Sequence, residues 1–275
     1  MNDSLQHSRT ALVLGGGGSA GNAWLIGVIA GLFEAGLDVR EADLVVGTSA
    51  GSTVAAQIAG TSPADLLADI LSAPPQPQGG PSPMRPGKSH LETTNDIIAA
   101  AENPDDMRRK MGAWALEMDA ASDSSTQARW RSTVASRFSR HDWPDHRMLI
   151  TAVDADTGVP VVFDRTSGID LVDAVAASCA GGFAYTIGDR RYLDGGYRTN
   201  AENADLAAGS ERVLVLSPFG GRTRLPLAWH LDLATQAEQL RAHGSRVETI
   251  FPDAASLAAF GDNMMDLSAR PPAAQ

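Results

Sequence analysis

Val45-Val46-Gly47-Thr48-Ser49-Ala50-Gly51 is the stretch on which the fold of this chain turns. A β-branched strand, Leu44 to Val46, runs into a Gly-x-Ser-x-Gly turn, and an Ala-rich helical segment, Ser52 to Ile58, leaves it. That pattern is a sharp strand-to-helix elbow, which lifts a serine hydroxyl clear of the sheet. Gly47 and Gly51 suit such a turn, because side chains there collide with the neighbouring strand and helix. The helix that follows aims its amide dipole at any anion formed beside Ser49.

A second strand–helix unit lies upstream. Ala11 to Leu14 reads as a short buried strand, cut off by Gly15-Gly16-Gly17-Gly18. A helix from about Gly21 to Ala35 follows, with Leu25, Val28, Ile29 and Leu32 at core spacing and Gly36 as its stop. Two consecutive units of this kind predict a three-layer α/β fold, a mostly parallel, doubly wound sheet with helices on both faces.

Downstream, Ala73 to Gly87 is crowded with Pro, Gly, Gln and Ser and reads as a loop. Leu91 to Phe138 reads as helical, which makes residues 73–138 an insertion. It either packs on the sheet edge or covers the entry to a site. Strands are expected at Met148 to Val153 and Val159 to Phe163, joined by an Asp156-Thr157-Gly158 turn. Ile169 to Ser178 is a helix candidate, Tyr192-Leu193 leads into Asp194-Gly195-Gly196, and Val213 to Leu216 is a buried strand. Leu231 to His243 suits a helix ended by Gly244, Val247 to Phe251 a last strand, and the tail after Ala269 reads as frayed. With no internal repeat and no linker, residues 1–275 are expected to form a single domain.

Composition narrows the partners. The net charge of −11 disfavours nucleic acid and any binding driven by attraction to anionic headgroups. Cys179 is the only cysteine, so no internal disulfide can form, which suits a reducing compartment. Without a secretory signal or membrane-spanning run, a cytoplasmic location is expected.

Acyl transfer needs a nucleophile, a base and donors for an oxyanion. Ser49 supplies the first, and the side-chain-free amides of Gly15, Gly16, Gly17 and Gly18 are candidates for the third. Gly16-x-Gly18-x-x-Gly21 also matches a dinucleotide fingerprint. That reading needs an acid at the end of the second strand. Asp43 stands at its start instead, and the far end belongs to the elbow. For the base, the chain order of a serine–acid–histidine triad leaves His230 or His243 with Asp194. Both histidines fall on or beside an amphipathic helix, where a solvated role is commoner. His141-Asp142 and Asp145-His146 hint at a metal site, but Pro144 breaks the register. Locally, Asp194-Gly195-Gly196 is either a plain turn or a carboxylate presented at a strand end.

Taken in order, LVLGGGG (residues 12–18), VGTSAGS (46–52) and YLDGG (192–196) resemble the patatin-like phospholipase family. The likeness extends to Ser178-Cys179-Ala180 and, more loosely, to VETIFPD (247–253). It implies a patatin-like sheet and acyl-ester hydrolysis without metal or cofactor. It also implies a Ser49–Asp194 dyad without histidine, and an oxyanion hole from Gly15 to Gly18. A lipid or other acyl ester is then the substrate, with transient contact at a membrane surface. A free aspartate, with a pKa of about 3.9, is a weak base, so Asp194 must sit desolvated beside Ser49. The chain departs from the family at Ala20, where relatives carry Arg or Lys. It also has Gly181-Gly182-Phe183 where a proline is usual, and Asn200-Ala201 in place of Asn-Pro. Ala20 keeps a second reading open, a catalytically impaired lipid-binding or regulatory protein.

Overall fold

The computed structural model describes residues 9–74, 88–121 and 125–275, so most of the Pro-rich stretch lies outside the described residues. In chain order the first half runs β1 (Thr10–Leu14), α1 (Gly18–Glu34), β2 (Leu44–Gly47), α2 (Ala50–Gly60), α3 (Pro63–Ser72), α4 (His90–Ala99), α5 (Pro104–Ala120) and α6 (Thr126–Ala135). It continues with β3 (Arg147–Asp154), β4 (Pro160–Phe163), α7 (Leu171–Ser178), β5 (Tyr185–Ile187), β6 (Arg190–Asp194), β7 (Arg212–Leu216), α8 (Leu233–Ala242), β8 (Arg246–Ile250), α9 (Ala254–Phe260) and α10 (Arg270–Ala274).

The strands form one eight-stranded sheet in the order β5-β6-β3-β2-β1-β7-β8, with β4 paired to β3. From β3 to β8 neighbouring strands are parallel, whereas β4, β5 and β6 pair antiparallel. The mostly parallel sheet therefore carries an antiparallel flank. Period-two alternation builds the layers. Leu12 and Leu14 of β1 face one core with α1, α2 and α7, while Ala11 and Val13 face another with α8. Each such side chain, taken fully out of water, stabilises the fold by about 1.5–3 kcal/mol.

α1 is apolar nearly all round because α2, α3 and α10 surround it. The tail expected to fray is instead the short helix α10, with Ala273 and Ala274 buried. The cause lies in α1: Gly27 has no side chain, and the Ala274 carbonyl occupies the space a Cβ would need. The insertion is three helices. α5 packs on β3 and β6, burying Met107 and Met111 against Val153 and Leu193, and α6 packs on α7. Ser89 with Glu92, and Asn103 with Pro104, mark the starts of α4 and α5 by capping their free amides.

Register positions the site. Leu14 lies level with Gly47 of β2 and Leu216 of β7. The glycine run, the elbow and Ser217-Pro218 therefore leave the sheet side by side at its carboxyl edge, where open α/β sheets bind ligands.

Candidate active site

Ser49 has φ 51° and ψ −116°, a left-handed backbone that a non-glycine residue adopts only under tertiary constraint. The constraint is visible. A Cβ on Gly47 would lie 2.7 Å from the Ser52 Cα, and one on Gly51 would strike the Leu14 carbonyl oxygen. The elbow is thus packed flat against β1, with α2 starting immediately beyond Ser49. Beneath it lies a buried polar network that sequence patterns did not reveal. Thr151 Oγ1 donates to Thr48 Oγ1 at 2.9 Å, and Asn203 Nδ2 donates to Thr48 Oγ1 at 2.9 Å and to the Gly195 carbonyl at 3.0 Å. These side chains join the elbow to the Asp194 turn.

Asp194 ends β6, opposite Ala152 of β3. Its Oδ2 accepts a hydrogen bond from Ser49 Oγ at 2.8 Å, and its Oδ1 accepts one from the Gly196 amide at 2.8 Å. Gly195 fits here because a Cβ would strike Thr151. Enclosure by protein raises the Asp194 pKa from 3.8 to about 6, against the opposing pull of the Gly196 and Ser49 donors. The geometry brings together a strained hydroxyl and a carboxylate far apart in the chain.

The four glycines divide. The Gly15 amide donates to the Leu216 carbonyl at 3.0 Å and the Gly16 amide to the Ala201 carbonyl at 2.8 Å. Both are committed to the backbone, which corrects the expectation that all four serve an oxyanion. Gly17 and Gly18, at the start of α1, have no acceptor for their amides among the described residues. Gly18 has φ 60°, and Gly17 lies so near Pro218 that a Cβ would sit 2.6 Å from it. The Ala50 amide, which a sequence motif does not single out, is likewise without an acceptor among the described residues. The departures from the family also find places. Ala20 is fully buried, and its amide donates to the Met264 carbonyl at 2.9 Å. Asn200 Oδ1 accepts from the Glu202 and Asn203 amides, which holds the Ala201 carbonyl against the glycine run. Ser178 Oγ accepts the Ser49 amide at 2.9 Å, and Cys179 Sγ donates to the Ser49 carbonyl at 3.1 Å.

Ser49 and Asp194 open into a cavity of about 1180 Å³, with Gly16, Gly17 and Gly18 on its wall. The insertion contributes His90, Leu91, Ile98 and Trp130 to the lining. His230 and His243 do not line it, and both are exposed. Among the described residues, no three or more His, Cys, Asp or Glu side chains converge as for a metal ion; His141 bonds the Ala135 carbonyl. Asp43 is tied to Thr10 at the start of β1, and no helix among the described residues is long and apolar enough to cross a membrane.

A strand–elbow–helix at the edge of an α/β sheet, with its serine on an enclosed acid, defines a recognisable class. The family model of patatin-like phospholipase matches residues 12–207, and the chain belongs to that family. Among solved structures, the chain is similar to VipD from Legionella pneumophila, with 12% identity over 92% of this chain and 53% of that one, at a TM-score of 0.41. It is also similar to the type III effector protein ExoU, with 15% identity over 97% of this chain and 52% of that one, at a TM-score of 0.34. The chain therefore spans about half the length of either structure. No curated protein matches it.

Proposed function

We propose that this protein is a serine acyl-ester hydrolase of lipid-like substrates, with Ser49 as nucleophile and Asp194 as base. The observation that carries this reading is the 2.8 Å hydrogen bond from Ser49 Oγ to an enclosed carboxylate. As Ser49 Oγ attacks the ester carbonyl, its proton passes to Asp194 and the carbonyl electrons move onto oxygen. The free amides of Gly17, Gly18 and Ala50 meet that charge, each such donor lowering the barrier by about 2.7–4 kcal/mol. Collapse breaks the ester bond, and Asp194 returns the proton to the leaving alcohol. Water, deprotonated by the same carboxylate, then attacks the acyl-enzyme, releases the acid and restores the Ser49 hydroxyl. No proton in this sequence needs an imidazole, metal or cofactor.

Substrate enters a largely apolar cavity, which suits an acyl chain. The rim carries exposed Leu91, Met265 and Leu267, which suits passing contact with a lipid surface. Location in the cytoplasm and the absence of a nucleic-acid partner belong to the same proposal. A fluorophosphonate probe and a chromogenic acyl ester test it. The wild-type protein is expected to be labelled and active, Ser49→Ala to be neither, and His230→Ala and His243→Ala to retain both. A histidine variant as dead as Ser49→Ala would replace the dyad with a triad. A wild-type protein that resists the probe would favour the binding-protein reading.

A further inference from the structure

The wall of the Ser49 cavity carries an unmatched pair of cations. Arg137, just after α6, and Arg270, the first residue of α10, both line it. Neither has a carboxylate partner among the described residues, although twelve ion pairs occupy other arginines and lysines among those residues. For a protein of net charge −11, two guanidiniums held in one cavity without an acid are an arrangement that costs stability.

They are also built in. Arg270 donates through one nitrogen to the Ser19 carbonyl at 3.2 Å and to Asn22 Oδ1 at 2.9 Å. Buried Asn22 passes the contact on, Nδ2 to Gln57 Oε1 at 3.0 Å, and Gln57 Nε2 donates to the Arg137 carbonyl at 3.0 Å. The Arg137 guanidinium lies 5.1 Å over the Trp130 ring and makes no side-chain hydrogen bond among the described residues. A guanidinium has five donors in a planar fork, so most of this pair's donors remain open. Burial, and then the like charge of Arg137, push the Arg270 pKa below its ordinary value. The site is close to the nucleophile: Arg137 acts electrostatically on Cys179, whose Sγ donates to the Ser49 carbonyl.

We infer that Arg137 and Arg270 form a subsite for a phosphate-type anion carried by the ester that Ser49 cleaves. The inference rests on the hydrolase reading and extends it to substrate choice. An oxyanion with several acceptors satisfies both forks at once, whereas a neutral glyceride leaves them unmet. Arg270 lies beyond residues 12–207, so this preference resides outside the part of the chain that the family model describes.

Two dispersed monoacyl esters with the same acyl chain, one a glycerophosphodiester and one a plain glyceride, test the subsite. Wild-type kcat/KM is expected to favour the phosphodiester. Arg137→Gln and Arg270→Gln are each expected to lower that ratio about tenfold or more, chiefly through KM, as loss of a charge-assisted pair implies. Arg137 makes no side-chain hydrogen bond to lose, so its variant keeps the test decisive if Arg270→Gln fails to fold. Inorganic phosphate is expected to compete with the phosphodiester in the wild type and less well in either variant. Competition by phosphate with a wild-type ratio near one would make the pair a free-anion site and overturn the inference. A ratio that neither variant moves would overturn it too. A wild-type protein that cleaves neither ester overturns the hydrolase reading instead.

Discussion

Asp194 is where the chemistry is most exposed to test. Its carboxyl is a base only when ionised, so hydrolysis is expected to fall as pH drops through about 6, tenfold per unit below it. A kcat/KM profile from pH 4 to 9 reads this directly, and a limb lying near pH 4 instead would deny the acid its desolvated setting. Stability runs the other way. The folded-state pKa lies above the ordinary 3.8, so the folded protein binds this proton more tightly than the unfolded chain. The group's contribution to stability therefore declines between pH 3.8 and about 6 and stays low above that. Asp194→Asn removes the buried charge and is expected to stabilise the fold at pH 8 by about 1–2 kcal/mol while abolishing turnover. Its gain should vanish towards pH 4, and denaturant melts at the two pH values check it. The acid's identity was legible in Asp194-Gly195-Gly196 beside the family pattern. Its network of Thr48, Thr151 and Asn203 was not, because those residues come from three distant segments and follow no spacing rule.

The elbow and α1 show how elements hold that residue in place. β1, β2 and the helices after them were legible from β-branched runs, glycine stops and apolar spacing. Val28 and Leu32, however, are only half-buried at the edge of the core. α1 also starts at Gly18, three residues before periodicity suggests, since α-helical pattern is silent on a glycine N-terminus. β5, α3 and α9 escaped notice because short elements carry too few residues to show a period. Gly51 offers the sharpest test at this scale. Gly51→Ala drives a methyl into the Leu14 carbonyl, and is expected to cost at least about 3 kcal/mol and to lower soluble yield. Gly31, where an added methyl would meet nothing within 4 Å, is the internal control. Gly31→Ala in the same protein is expected to stabilise α1 by about 0.5–1 kcal/mol. Equal melting temperatures for the two variants would mean that the elbow is not packed against β1.

The whole molecule sets two electrostatic scales against each other. A chain of net charge −11 is repelled by an anionic bilayer within a Debye length, yet its cavity holds Arg137 and Arg270. Hydrolysis at low salt is therefore expected to be faster with zwitterionic than with anionic vesicles of equal acyl composition. The gap should close at about 0.5 M salt, as screening shortens the field. Faster cleavage of anionic vesicles at low salt would contradict this, and would place a basic docking patch outside the cavity.

From the sequence alone came the α/β class, the serine on its elbow, the acid after β6 and the glycine run before α1. All of these are local: a turn, a strand end or a helix start is written in a handful of adjacent residues. Folding decided what adjacency does not encode. It committed Gly15 and Gly16 to the backbone and left Gly17 and Gly18 open, because register brings Leu216 and Ala201 to the first pair only. It turned the expected loose tail into α10, because a missing side chain at Gly27 leaves room for Ala274. And it carried Arg270 across the length of the chain to the cavity of Ser49, a meeting that depends on the packing of α10 against α1 and on no pattern of spacing.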